Sequence, residues 1–178
     1  MAYTIDASHS LVEFSVKHMM VTTVKGRFKN FSGEVEIDEA NPAASKVDVT
    51  IHTASIDTGS EQRDGHLRGA DFFDAEKYPT ITFVSKRVEA LGGEKYRVIG
   101  DLTVHGVTHE IPLEVTREGV TRSMQGQQLQ AFSAEFSLSR KDFGLEWNVA
   151  LESGGWLVSD KVKVTLEIQA VEQAAAAA

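Results

Sequence analysis

Apolar residues recur at every second position over most of the chain, the period of a strand with one buried face. Between Ser10 and His18, Val12, Phe14, Val16 and His18 share one face, while Glu13, Ser15 and Lys17 share the other. Val47, Val49 and Ile51 alternate with Asp48, Thr50 and His52. Tyr96, Val98, Gly100, Leu102 and Val104 form one face of a further run, and Ile111, Leu113 and Val115 of the next. Phe132, Ala134, Phe136 and Leu138 alternate with Ser133, Glu135 and Ser137, and Val162, Val164, Leu166 and Ile168 oppose Lys161, Lys163, Thr165 and Glu167 near the end.

Two segments are less regular. In Gly26 to Ile37, Phe28 falls on even positions, but Phe31, Gly33, Val35 and Ile37 fall on odd ones. The change of face predicts a bulge near Asn30 and Phe31. In Thr80 to Val88, Ile81 and Phe83 share one face, with Val84 and Val88 on the other.

About eight strands result, separated by turn signals at Asn41-Pro42, Gly92-Gly93, His105-Gly106, Gly119 and Gly154-Gly155. No long helical crossovers intervene, so antiparallel pairing is expected. Eight amphipathic strands bury their apolar faces by closing into a barrel, which also removes free edges. A β-sandwich is the alternative. One segment, Thr58 to Pro79, departs from the alternation. Thr58 and Glu61 have capping-box spacing for a short helix that Gly69 would end. Phe72 and Phe73 follow, placed to plug an open barrel end as part of a lid.

Length, charge and composition narrow the function. The chain has 178 residues, enough for one well-buried domain, and no cysteine, so disulfide and thiolate chemistry are excluded. A net charge of −8 with scattered Lys and Arg argues against nucleic acid and against adhesion to an anionic membrane surface. No stretch is apolar and long enough to span a membrane, and no leader precedes the first strand, so a cytoplasmic protein is expected. The domain is expected over 1–171, with an Ala-rich tail at 172–178 that is disordered or a short helical end.

The interior of an eight-stranded barrel is either filled by side chains or holds one ligand. Alternation alone favours the filled core, although Gly100 and Ala134 among larger residues leave room. A cavity here would be apolar and suit a hydrocarbon-like ligand with its polar head at the mouth.

Several segments carry a resemblance that favours the tunnel: YTIDASHSLVEFSVKH at 3–18, VKGRFKNFSGEVEID at 24–38 and SIDTGSEQRDGHLRGADFFDAEKYPTITF at 55–83. They are followed in order by YRVIGDLTVHGVTHEIPL, SRKDFGLEW and VSDKVKVTLEI. Together they resemble the YceI-like family of polyisoprenoid-binding proteins over nearly the whole chain. The resemblance implies an all-β fold: an extended eight-stranded antiparallel lipocalin-like barrel with a short helical lid insertion. It implies a long isoprenoid, of the polyprenyl phosphate or polyprenyl quinone type, threaded along an apolar tunnel. It implies a homodimer and, for many relatives, a periplasmic location. No cofactor is expected beyond that bound lipid. The expected tunnel wall comprises Val12, Phe14, Val16, Phe28, Phe31, Val35, Val49, Ile51, Ile81, Phe83, Leu102, Val104, Leu113, Phe132 and Phe136.

Polar clusters are read as structural ties or as contacts to a ligand head. Arg63 and His66 either bind a phosphate-like head at the tunnel mouth or, with Asp64, hold the insertion in place. Arg140 pairs with Asp142 or Asp160 as a structural tie at the rim. His18, on an apolar face, bonds a carbonyl or the ligand head. His105 and His109 flank a turn without a third ligand nearby, so no metal site is expected. No nucleophile motif, zinc-hydrolase motif or phosphate loop is present, so no catalytic residue is expected. The alternatives to lipid carriage are an enzyme using His66, Asp64 and Arg63, or a scaffold with a filled barrel.

Overall fold

The computed structural model describes residues 1–174. Its strands are β1 (Ala2–Ile5), β2 (Leu11–His18), β3 (Thr22–Phe28), β4 (Phe31–Glu36), β5 (Lys46–His52) and β6 (Ile56–Asp57). After helix α1 (Glu61–Arg68) come β7 (Thr80–Gly92), β8 (Lys95–Val104), β9 (Val107–Arg122), β10 (Gln128–Ser139) and β11 (Lys161–Glu172). All pairings are antiparallel. The sheet closes because β1 pairs with β4 on one side and β11 on the other. The pairs β1/β2, β3/β4 and β5/β6 are each one long barrel strand with a local interruption, so the closed barrel has eight staves. Of the tail expected at 172–178, Glu172 belongs to β11, paired with Tyr3, and residues 175–178 lie outside those described.

Three irregularities differ from the sequence reading, each for a local reason. The face change after Phe28 is a break in the ladder at Lys29–Asn30, where His52 N donates to the Asn30 carbonyl (2.9 Å). It lets Phe28 and Phe31 both turn inward and bury. In β7, Ser85 pairs with Gly100 but Arg87 with Ile99, so Lys86 is an extra residue. That bulge rotates the strand, so Val88 joins Ile81 and Phe83 on the inner face while Val84 stays outside. Gly119 is not a turn. It lies within β9 beside a second bulge, where Ala131 pairs with Gly119 and Phe132 with Arg117. The β9–β10 turn comes later, with Gly126 at φ 84° and its N–H on the Ser123 carbonyl (3.0 Å).

Helix α1 caps one end of the barrel, hereafter the lid end. Its N-cap is Ser60, whose hydroxyl accepts from Arg63 N, not Thr58. Thr58 is used instead as a latch. Its N–H and hydroxyl both donate to the buried Asp64 carboxylate (2.9 and 2.5 Å). Arg68 ties the helix end to the carbonyls of Ala54 (2.9 Å) and Ile56 (3.3 Å). Gly69 ends the helix, as its spacing predicts.

Candidate functional site

The inner faces of the staves enclose a cavity of about 470 Å³. It runs from α1 and the 144–158 segment at the lid end to residues 36–45 and Arg117 at the far end. Its wall is a product of the period-2 pattern: Val12, Phe14 and Val16 from β2, Leu113 from β9, Phe132 and Phe136 from β10. Many inward side chains, including Phe14, Val16, Phe132, Phe136, Val164 and Leu166, keep part of their surface accessible. Inward residues that stay accessible border a space, because in a packed core they would cover one another.

Every expected wall residue lines this cavity, including Phe28, Phe31, Val35, Val49, Ile51, Ile81, Phe83, Leu102 and Val104. So do His18, Arg63, His66, Phe72 and Phe73. Gly100 does not contribute free room. A Cβ there would lie 2.7 Å from Phe83 Cζ and 2.5 Å from the Val84 carbonyl, so the ring of Phe83 already covers it. The whole inner row of β11, Val162 to Ile168, also lines the cavity, as do Trp147 and Arg117, which the sequence reading left out. The β11 row and Arg117 were visible as alternation: Arg117 is the next odd position after Ile111, Leu113 and Val115. Trp147 lies in a segment without periodicity, and no sequence signal marks it.

Aromatic rings cluster at the lid end. Phe28 packs on Phe14 with the rings tilted at 43° (centroids 5.7 Å) and meets Phe73 edge-on (5.8 Å). Phe72, His66 and Trp147 form a triangle with centroids 4.8 to 5.2 Å apart. Such tilted and edge contacts suit ring quadrupoles and line the lid end with aromatic surface.

Polar groups at this end are mostly engaged. Arg63 donates from Nε to the Thr58 hydroxyl and from Nη2 to the Thr58 carbonyl (both 2.7 Å). His66 Nε2 lies 3.0 Å from Asp71 Oδ2. At His18 the carbonyl accepts from Val21 N and Thr22 Oγ1 (both 3.2 Å), while the imidazole lines the cavity. Arg140 corrects the expected carboxylate pair. Buried, it donates to four carbonyls: Leu145 (2.7 Å) and Trp147 (2.9 Å) from Nη1, Ser159 (2.9 Å) from Nε and Val158 (3.3 Å) from Nη2. It thereby gathers the non-repetitive 144–159 segment into the rim. Burial draws its guanidinium below the ordinary value, and Asp160 opposes that. Asp160 instead accepts from Ser139 Oγ (2.6 Å) and Lys141 N (3.1 Å). Burial pushes its carboxyl up, but those hydrogen bonds and the charges of Lys141 and Arg140 outweigh burial and hold it low.

At the far end Arg117 bridges two loops, pairing with Glu94 of the β7–β8 hairpin (2.5 Å) and Glu39 before β5 (2.9 Å). The Glu94 hydrogen bond, opposed by desolvation and helped by Glu39, holds the guanidinium above its ordinary value. His105 and His109 do not converge: His105 packs on Tyr78 (4.6 Å), and His109 Nε2 bonds the Asp142 carbonyl (2.7 Å). Among the described residues no helix is long and apolar enough to cross a membrane.

The sequence profile of the YceI-like domain matches residues 3–170. The chain belongs to the YceI-like family. This YceI-like chain is 39% identical over 162 residues to a UPF0312 protein of Staphylococcus epidermidis, covering 90% of this chain and 92% of the relative. A UPF0312 protein of Staphylococcus aureus is 38% identical over the same length. Among solved structures, BcnA of Burkholderia cenocepacia superposes with a TM-score of 0.78 at 31% identity, covering 93% of this chain and 98% of that one. The YceI protein of Campylobacter jejuni gives 0.76 at 35%, covering 89% and 90%. A polyisoprenoid-binding domain from Saccharophagus degradans, implicated in plant cell wall breakdown, shares the fold, with a TM-score of 0.71 at 22% identity and coverage of 96% and 98%.

Proposed function

We propose that this protein binds a long isoprenoid lipid, of the polyprenyl phosphate or polyprenyl quinone type, in the barrel cavity, and that it carries, stores or sequesters that lipid without catalysing a reaction on it. The observation that supports this best is a through-barrel cavity whose accessible wall is apolar, with Val, Leu, Ile and Phe making up most of the lining and polar side chains such as His18, Arg63, His66, Glu39 and Arg117 toward its ends. Its 470 Å³ is within the range of small-molecule pockets. Each buried CH₂ contributes about 0.8 kcal/mol, so a long chain gains affinity from length alone. A sugar or nucleotide would instead leave polar groups without partners on these walls.

The chain's place in the YceI-like family and the polyisoprenoid-binding domain with the same fold support the isoprenoid class by analogy. In this reading the branched, repeating tail lies along the apolar wall, and the head sits at the lid end near His18, Arg63 and His66. Arg63, His66 and Asp64 are each held by Thr58 or Asp71, an arrangement that favours positioning over proton transfer. The test is titration of a fluorescent alkyl probe, with displacement by a polyprenol, a polyprenyl phosphate and a sugar of similar size. The first two displace the probe and the sugar does not. Absence of probe uptake by the folded protein contradicts the proposal.

A further inference from the structure

Two turn tips beside the lid-end mouth present large apolar side chains to solvent. The β2–β3 hairpin turns at Met19-Met20-Val21, where Met20 is 60% and Val21 78% exposed. The 149–157 loop carries Val149, also exposed, and Trp156, 52% exposed. The tips are laced into one surface. Met19 N donates to the Leu157 carbonyl (2.7 Å), His18 bridges Val158, and Met20 lies over Gly155, where a Cβ would come within 3.1 Å of its sulfur.

The hairpin also carries strain. Met19 and Met20 have φ of 52° and 66°, a left-handed pair that Asn-Gly would adopt at no cost and that side chains of this size rarely occupy. Exposed apolar residues at a strained tip serve neither packing nor the turn, and a contiguous patch of them marks an interaction surface.

We propose that this patch docks on the surface of a lipid bilayer, so that an apolar chain passes between membrane and cavity without crossing water. The inference rests on the lipid-binding reading above. Its particular support is continuity: His18, Trp147, Leu157 and Val158, which adjoin the patch, line the cavity. The composition fits a bilayer interface. Trp156 has the Lys141 ammonium 5.9 Å from its ring, pairing an amphipathic ring with a cation that reaches water. Lys17 stands on the adjoining strand, but Glu152 lies in the same loop and the whole chain carries −8. Attraction to anionic lipid is therefore not the driving force, and apolar insertion is.

The test is co-sedimentation with phosphatidylcholine vesicles at low and high salt, comparing the intact protein with the combined Met20→Ser, Val21→Ser, Trp156→Ser variant. None of the three residues lines the cavity. The protein pellets with vesicles at both salt concentrations, and the variant loses about tenfold or more of that binding. The variant still takes up a fluorescent alkyl probe from water as the intact protein does, but more slowly from vesicles. A protein that ignores vesicles, or a variant that binds them equally, overturns the proposal. So does sedimentation velocity showing that the patch holds two copies together and that the substitutions separate them. No probe uptake from water by the intact protein overturns the cavity reading itself, and the membrane route with it.

Discussion

Arg140 shows how a single side chain holds an irregular segment. Its charge is met by carbonyl dipoles, and the nearest carboxylate, Asp160, is committed to Ser139 and Lys141. Removing the guanidinium leaves buried carbonyls without donors, a loss of about 3 kcal/mol. Arg140→Ala is therefore expected to lower the denaturation midpoint strongly, and Arg140→Lys to recover little, since one ammonium cannot span four carbonyls; equilibrium urea unfolding measures both. Asp160 gives a pH signature. Its carboxyl is held below the ordinary value in the folded state, so it stabilises the fold above the unfolded-state value and loses that contribution as acid drives the pH through the lower folded value. Asp160→Asn is less stable at neutral pH, and its stability falls less steeply below about pH 4 than that of the parent. On the wall, Phe136→Glu places an unpaired charge in an apolar lining, which costs several kcal/mol unless the group protonates. The folded variant takes up no alkyl probe at neutral pH; uptake equal to the parent shows that Phe136 does not meet the ligand.

At the level of elements, the period-2 pattern carried most of what the structure contains. The inner faces of β2, β8, β10, β11 and the first part of β9 follow directly from alternation, because the β9 bulge beside Gly119 falls beyond the Ile111, Leu113, Val115 and Arg117 row. Alternation failed where a single residue shifts the face. Val88 changed sides because of Lys86, and Gly119 imitated a turn because glycine suits bulges and turns alike. The helix start was misplaced by two residues because Thr58 and Ser60 offer the same hydroxyl, and only the fold reveals that Thr58 serves Asp64. Arg140 was misread because carbonyls of residues 145–159 carry no sequence signal. Gly100 illustrates a packing need that composition misstates: it admits Phe83, not ligand. Gly100→Ala is expected to destabilise the barrel by about 1–3 kcal/mol, since the Val84 backbone cannot yield as a side chain would. A denaturation midpoint unchanged by this substitution would contradict the close β7–β8 packing.

For the whole molecule, binary patterning describes a filled and a hollow barrel equally well, so alternation alone favoured the wrong interior. The family resemblance pointed to the tunnel, and the geometry supplies the reason. Eight staves set a circumference that Val- and Leu-sized side chains do not fill, and the large rings gather toward the lid end. A ligand that occupies the hollow only in the folded state must raise the unfolding temperature with its concentration, whereas a filled barrel would not respond. A hollow barrel loaded with lipid is revealed by native mass spectrometry of the protein purified without detergent, followed by organic extraction of the same sample. One added mass per chain is expected, released into the extract as an isoprenoid lipid. A bare chain, an empty extract and no mass gained after incubation with a polyprenyl phosphate would rule out lipid binding in the barrel.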